Sequence, residues 1–228
     1  MPDLKAIYAA DAEQYDQLVA REDFLHNLIP AIQQVQPLSG LDVVELGAGT
    51  GRLTCLMAPF VKSLRACDAS PAMLAVARAR LTRSGLTCCQ IQVADHRHLP
   101  VVGGCADLAI SGWSLCYAAL DHPGRWQETL GQALGEMRRV LRPGGTLIIL
   151  ETLGTGCETP HPPGILKDYL AYLDTDGFRS TWFRTDYRFD TLAEAEMLVR
   201  FFFGDELAER TVKENWAILP ECTGLWWQ

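Results

Sequence analysis

The chain has 228 residues, 48% of them hydrophobic and 21% charged, which is the composition of an ordinary globular protein. Its formal net charge of −8, without a lysine- or arginine-rich block, argues against a nucleic-acid substrate, since cationic side chains supply much of the affinity for phosphates. No apolar run approaches the about 20 residues that span a bilayer, and the amino terminus lacks the layout of a signal peptide. The composition therefore predicts a soluble, cytoplasmic protein that does not bind membranes.

The first two thirds of the chain alternate between amphipathic and short apolar segments. Apolar residues at helical spacing predict a helix over 4–35. We then expect strands over 41–46, 61–67, 88–93, 106–111 and 146–151, with helices over 52–59, 70–83 and 124–141 between them. This alternation predicts a doubly wound, mostly parallel sheet with helices on both faces.

The last third of the chain is less regular. Helices are expected over 164–174, 192–203 and 205–215, and strands over 179–189 and 223–228. Because no internal repeat or linker interrupts the chain, residues 1–228 are predicted to form a single domain. Its parts are a helical cap (1–40), a core (41–152) and a C-terminal region (153–228).

The eight cysteines form no C-x-x-C pair and no paired cysteine–histidine spacing, so a structural zinc site is not expected. Most of them are predicted to be reduced and structural. Cys88 and Cys89 are adjacent, and such a pair could bind a soft metal or metalloid. Alternation along a strand would instead point the two thiols to opposite faces, and we favour this second interpretation.

The most informative motif is the glycine-rich turn that follows the first strand, Glu45-Leu46-Gly47-Ala48-Gly49-Thr50-Gly51. Glycine permits positive φ and lets a ligand approach bare backbone. A dinucleotide-binding turn of the G-x-G-x-x-G type would need glycine at position 52, where Arg52 stands. The spacing therefore argues against a nicotinamide-dependent dehydrogenase.

Polar or small residues also follow the next three strands. They are Asp68, Asp95 and the run Ser111-Gly112-Trp113. Ligands of open α/β sheets bind beyond the carboxyl ends of the strands, so these residues should converge with the glycine turn. A carboxylate at Asp68 could accept hydrogen bonds from ribose hydroxyls or cap the next helix. Asp95 could accept one from an adenine amino group or serve only in a turn.

Four segments of the chain resemble class I S-adenosylmethionine (SAM)-dependent methyltransferases of the small-molecule, type 11-like kind. They are residues 44–52, 67–74, 93–95 and 137–146. The resemblance implies a Rossmann-like α/β fold with a seven-stranded, mostly parallel sheet. Its last strand would be antiparallel and would come from 223–228, and the N-terminal helices would form a lid.

The resemblance also implies where the cofactor binds. The glycine turn would line the methionine part of SAM, Glu45 would reach its ammonium group, Asp68 would hold the ribose, and Asp95 with the His96 backbone would hold the adenine. Tyr15 resembles a lid tyrosine, although it could equally be a packing residue. The implied cofactor-binding set is Tyr15, Glu45, Gly47, Ala48, Gly49, Gly51, Asp68, Ala69, Met73, Asp95, His96, Ser111, Gly112 and Trp113.

A methyltransferase of this kind would move the methyl group of SAM to an oxygen, nitrogen or carbon nucleophile, with sulfur less favoured, by in-line displacement. Holding the reactants in line can lower the barrier by roughly 7–11 kcal/mol. An oxygen or nitrogen nucleophile can also need a general base, and His122 with Asp121 is the candidate, although both could be solvated loop residues. Magnesium-dependent, catechol-type methyltransferases carry acidic ligands at the end of the fourth strand, where this chain has Ser111 and Gly112, so the resemblance implies no catalytic metal.

The family's usual acceptor-binding segments correspond to the N-terminal helix, 113–126 and 153–189, and aromatic residues there favour a planar, apolar or cationic small molecule. Two alternatives stay open. The chain could be a non-catalytic module that binds SAM or its demethylated product, or a nicotinamide-dependent dehydrogenase. The sequence leaves the acceptor and the oligomeric state undetermined.

Overall fold

A computed structural model describes residues 3–121 and 124–228. Its helices are α1 (Leu4–Ala10), α2 (Ala12–Val19), α3 (Leu28–Val35), α4 (Arg52–Met57), α5 (Pro71–Arg83), α6 (Cys116–Asp121), α7 (Trp126–Val140), α8 (Lys167–Thr175), α9 (Leu192–Phe203) and α10 (Asp205–Lys213). Its strands are β1 (Asp42–Leu46), β2 (Ser63–Asp68), β3 (Cys89–Val93), β4 (Ala106–Gly112), β5 (Leu141–Thr155), β6 (Arg179–Arg184), β7 (Tyr187–Arg188), β8 (Ile218–Leu219) and β9 (Glu221–Trp227).

Seven of the described strands form one sheet in the order β3-β2-β1-β4-β5-β9-β6. Strands β1 to β5 pair in parallel. The last strand, β9, lies between β5 and β6 and runs antiparallel to both. The predicted seven-stranded, mostly parallel sheet with an antiparallel last strand is therefore confirmed.

Apolar residues of the central strands point alternately to the two faces of the sheet. Val43 belongs to a buried cluster with α3, α4 and α5, whereas Val44 belongs to a second cluster with α7 and α8. Because helices cover both faces, β1 carries apolar residues on both sides, as interior parallel strands do. This burial holds the strand ends, where polar residues collect, in fixed positions.

The predicted continuous helix over 4–35 is wrong, because the structure has three short helices there. The backbone takes left-handed conformations at Asp23 (φ 59°) and His26 (φ 57°), which a helix cannot accommodate. The Asp23 carboxylate accepts hydrogen bonds from the backbone N–H groups of Asn27 (2.8 Å) and Leu28 (3.1 Å). Asp23 therefore caps the start of α3 instead of continuing α2.

Helix α5 begins as its sequence predicts. The Ser70 hydroxyl accepts a hydrogen bond from the Met73 N–H at 3.3 Å, and Pro71 is the first helical residue. The predicted single strand over 179–189 is wrong, because the structure has two strands there. Strand β6 pairs with β9, whereas β7 pairs with β8 in a separate two-stranded sheet.

The two adjacent thiols do not point to opposite faces as predicted. Cys88 precedes β3, and its Sγ lies 3.7 Å from the Sγ of Cys89. Strand alternation does not apply to the pair because only Cys89 is inside the strand.

Within the described ranges, no helix is long and apolar enough to cross a membrane.

Candidate active site

A cavity of about 290 Å³ opens at the carboxyl ends of β1, β2, β3 and β4, beneath α1 and α2. Twelve of the residues predicted to bind a cofactor line it: Tyr15, Glu45, Gly47, Ala48, Gly49, Asp68, Ala69, Met73, Asp95, His96, Gly112 and Trp113. Two do not. Ser111 is fully buried inside the sheet, and Gly51 forms the N-cap of α4. The topology thus brings most of the predicted set to one place.

The glycine turn has left-handed backbone at each of its three glycines, with φ of 68° at Gly47, 54° at Gly49 and 78° at Gly51. A Cβ atom at Gly47 would lie 1.9 Å from Ser114 Oγ, so no side chain fits there. At Gly51 it would lie 3.0 Å from Ala77 Cβ. Two of the glycines are therefore required by packing within the protein, in addition to leaving backbone bare for a ligand.

Asp68 is held by the glycine turn itself. One carboxylate oxygen accepts a hydrogen bond from the Gly49 N–H at 2.9 Å, and the other accepts one from the Ser70 N–H at 2.7 Å. Each carboxylate oxygen has a second lone-pair site. Asp68 can therefore accept two further hydrogen bonds, which suits a pair of ribose hydroxyls.

Glu45 places a carboxyl group in the cavity wall although the residue is only 2% exposed. It accepts a hydrogen bond from Thr54 Oγ1 at 2.6 Å. Burial raises the pKa of this carboxyl to about 8. A cation bound beside it would lower that pKa again, so the site suits an ammonium group.

Asp95 is engaged by a neighbour that the sequence did not suggest. Its carboxylate binds the Arg97 guanidinium through two hydrogen bonds of 2.8 and 2.6 Å and accepts the Arg97 N–H at 2.8 Å. This pairing holds the pKa of Asp95 at about 2. One lone-pair site of Oδ2 remains for a ligand, so an adenine amino group would share Asp95 with Arg97.

His96 contributes its side chain to the cavity wall, whereas the resemblance implied a role only for its backbone. Its Nε2 lies 3.0 Å from Ser114 Oγ, close to the bare face of Gly47. Burial lowers the pKa of this imidazole, which favours its neutral form.

An aromatic wall built from Tyr8, Tyr15 and Tyr117 closes the side of the cavity under the N-terminal helices. The Tyr8 ring packs edge-on against Tyr15 (5.3 Å between centroids) and Tyr117 (5.7 Å), and the Tyr8 and Tyr117 hydroxyls are 2.5 Å apart. Burial raises the pKa of all three phenols above their usual range, so they remain protonated. Tyr15 had been predicted here, whereas no sequence pattern marks Tyr8.

The predicted general base cannot be placed. His122 and the side chain of Asp121 lie outside the described residues. Throughout the described part of the chain, no group of three or more histidine, cysteine, aspartate or glutamate side chains could hold a metal ion.

Known proteins resemble the chain in this same region. Residues 44–149 match the model of the methyltransferase domain family. A malonyl-acyl-carrier-protein O-methyltransferase of Pectobacterium atrosepticum is 33% identical over 118 residues, which are 52% of this chain and 41% of that protein. A ubiquinone/menaquinone biosynthesis C-methyltransferase of Rubrivivax gelatinosus is 28% identical over 151 residues, 65% of this chain and 55% of that protein. The chain thus spans about half the length of these curated relatives.

Solved structures agree at the level of the fold. A SAM-dependent methyltransferase from Aquifex aeolicus superposes with a TM-score of 0.56 and 14% identity, over 98% of this chain and 92% of that one. The sequence match covers β1 to β5 and the glycine turn, and the structural match extends to the antiparallel β9. Residues 44–149 thus match the methyltransferase domain family, and the chain as a whole has the fold of solved SAM-dependent methyltransferases.

Proposed function

We propose that the chain binds SAM in this cavity and transfers its methyl group to a small-molecule acceptor, without a metal. The observation that carries the proposal is the position of Asp68. It is hydrogen-bonded to the glycine turn at the end of β1 while it ends β2 itself. Bound SAM would supply an electrophilic methyl group on a sulfonium centre.

The residues that line the cavity fit such a ligand. The buried Glu45 carboxyl would accept the ammonium group, Asp68 would accept the ribose hydroxyls, and Asp95 would accept the adenine amino group. Together these contacts would fix the cofactor at three points along its length. Orientation of this kind is the main contribution that a protein can make to an in-line displacement.

The acceptor would lie against the aromatic wall. Since Tyr8, Tyr15 and Tyr117 remain protonated, they would pack on the acceptor or donate hydrogen bonds to it and would not act as bases. This wall supports a planar, largely apolar acceptor such as the quinone precursors suggested by the Rubrivivax relative's name. A malonyl thioester, suggested by the Pectobacterium relative's name, is the second candidate.

A nucleophile that needs deprotonation would depend on His122, with Asp121 beside it, as the general base. Asp121 is the last residue of α6, which follows the carboxyl end of β4, and His122 is the next residue in the sequence. A carboxylate oxygen, which is already ionised, would depend on such a base far less than an amine, an alcohol or a quinol carbon, each of which must give up a proton. The response of His122→Ala to the class of acceptor therefore tests this assignment.

The proposal is tested with methyl-labelled SAM and the full chain, offered in parallel a demethylated quinol, a malonyl thioester and fractions of a metabolite extract. We expect label to appear in one of these acceptors, and we expect Asp68→Asn to lower the rate of transfer at SAM concentrations that do not saturate the variant. Tight SAM binding without transfer to any acceptor would instead support a non-catalytic binding module.

A further inference from the structure

Arg52, which distinguishes the glycine turn from a dinucleotide-binding turn, also lies in the cavity wall. It is the first residue of α4 and lines the cavity, and its side chain is only 14% exposed. The guanidinium stacks over the Trp113 ring, 4.2 Å from the centroid. It also contacts the Glu22 carboxylate. A buried cation in the wall of a ligand cavity needs an explanation, because its burial is costly unless it is paired.

Glu22 holds the arginine in place. Its side chain is only 4% exposed, and it accepts a hydrogen bond from the Tyr187 hydroxyl at 3.1 Å. The backbone of the residue on which Arg52 stacks is also held in place, because the backbone N–H of Trp113 donates to the Leu150 carbonyl at 2.7 Å. The guanidinium therefore has one defined orientation, between Trp113 and Glu22.

The guanidinium still has donors to offer. It carries five N–H groups, and the ion pair with Glu22 engages one of its nitrogens, Nη1. Among the described residues, Nε and Nη2 have no hydrogen-bond partner. Of the other acids that face Arg52, Glu45 and Glu221 have pKa values raised to about 8 by burial, and Asp23 caps α3. An anionic ligand group would use the free donors.

The position of Arg52 identifies that group. Glu45, the predicted ammonium site, binds Thr54 Oγ1, and Thr54 is two residues beyond Arg52 in the first turn of α4. The first turn of α4 thus holds Thr54, which binds the Glu45 carboxyl group, and Arg52. The carboxyl group suits an ammonium ligand, and the Arg52 cation suits a carboxylate ligand. These two ligand groups are attached to the same carbon atom in an α-amino acid.

We propose that Arg52 binds the α-carboxylate of the methionyl group of SAM, and that Glu22 is a positioning residue for Arg52. This inference rests on the proposed function. The site would then be selective for cofactors that retain the carboxylate. Arg52 would have a binding role, whereas the glycine spacing shows only that it stands where a dinucleotide-binding turn has glycine.

Calorimetry with SAM and with decarboxylated SAM tests this assignment on the full chain. We expect the wild type to bind SAM about tenfold or more tightly than the decarboxylated ligand, the size of one charged hydrogen-bond pair. In Arg52→Gln, affinity for SAM should fall by about the same factor while affinity for decarboxylated SAM stays unchanged. Arg52→Lys should retain part of the preference, since it keeps the charge but loses the planar fork.

Arg80→Gln is the matched control. Arg80 pairs with Asp16 at 2.9 Å with similarly low exposure and joins α5 to α2, but it does not line the cavity. This variant should leave the preference for SAM unchanged. Equal wild-type affinity for SAM and decarboxylated SAM would overturn the inference. So would an equal loss of affinity for both ligands in Arg52→Gln, or an Arg52→Gln variant in which only the KM for the acceptor changes. Failure of the wild type to bind either ligand would instead count against the proposed function.

Discussion

Asp68 is the residue whose removal should affect the cofactor most directly. Its carboxylate joins the glycine turn to the start of α5 and keeps two lone-pair sites for the ligand. We predict that Asp68→Asn weakens SAM binding by about tenfold to a hundredfold, because hydrogen bonds to a charged group contribute about 1.5–3 kcal/mol. Calorimetry on the folded variant measures the loss.

Asp42→Asn is the matched control for that variant. Asp42 also receives several polar contacts, from Ser63, Lys62 and Arg142, but it lies at the opposite end of β1. Removing its charge should lower stability without changing SAM affinity. If Asp68→Asn binds SAM as tightly as Asp42→Asn does, then Asp68 serves only to organise the turn.

For single residues, the sequence predicted the site correctly where the type of side chain and its position along the chain indicated the same role. Asp68 was predicted from its place at the end of a strand and Glu45 from the family resemblance, and both reach the cavity. The partners of Arg52 and Asp95 were not predicted. Glu22 is 30 positions from Arg52 in the chain, and only the packing of the N-terminal helices brings them together. The Asp95–Arg97 pair depends on a turn geometry that residue types alone do not specify.

The glycine turn can be tested as an element by comparing two glycines with similar backbone. Gly47 and Gly40 have φ of 68° and 77°, so an alanine at either adopts an unfavourable left-handed conformation. At Gly40 nothing lies within 4 Å of the added Cβ, whereas at Gly47 it collides with Ser114. We predict that Gly40→Ala costs about 1–2 kcal/mol of stability and leaves SAM binding intact.

Gly47→Ala should cost more than Gly40→Ala in denaturant unfolding and should abolish SAM binding, because the added Cβ would displace Ser114 and crowd His96, which both line the cavity. Equal stability and equal SAM affinity in the two variants would contradict this role for the close approach at Gly47.

Element types were predicted better than element breaks or order. Helix α5 carries its own start signals in Ser70 and Pro71, so its bounds follow from local chemistry. The break between α2 and α3 depends on Asp23 in a left-handed conformation, which the apolar spacing of 4–35 conceals. The sequence-based resemblance supplied an antiparallel last strand, but the place of β9 between β5 and β6 is a matter of long-range pairing.

The molecule as a whole contains acidic side chains whose pKa values are raised by burial. Burial raises the pKa of Glu221 to about 8 and that of Glu151 to about 7, and neither residue lines the cavity. A carboxyl whose pKa is higher in the folded than in the unfolded state stabilises the fold fully below pH 4.5. That contribution is lost as the pH rises through the folded pKa.

We therefore predict that the ligand-free protein becomes less stable relative to Glu221→Gln as the pH rises from 5 to 8. Glutamine resembles the protonated acid and does not titrate, so the comparison isolates Glu221 from the buried His96, whose lowered pKa acts in the opposite direction. Each kcal/mol should change the difference in thermal midpoint by about 2–4 °C. A difference that is constant over this pH range would contradict the buried, protonated state of Glu221.

The central claim is that the cavity at the carboxyl ends of β1 to β4 is a SAM site. Calorimetric titration of the full chain with SAM and, separately, with NAD tests it most directly. We predict saturable SAM binding at about one ligand per chain, as the match of one cavity to one ligand requires, and no binding of NAD. Absence of measurable SAM binding by the folded wild-type chain, or binding of NAD in its place, would contradict the account.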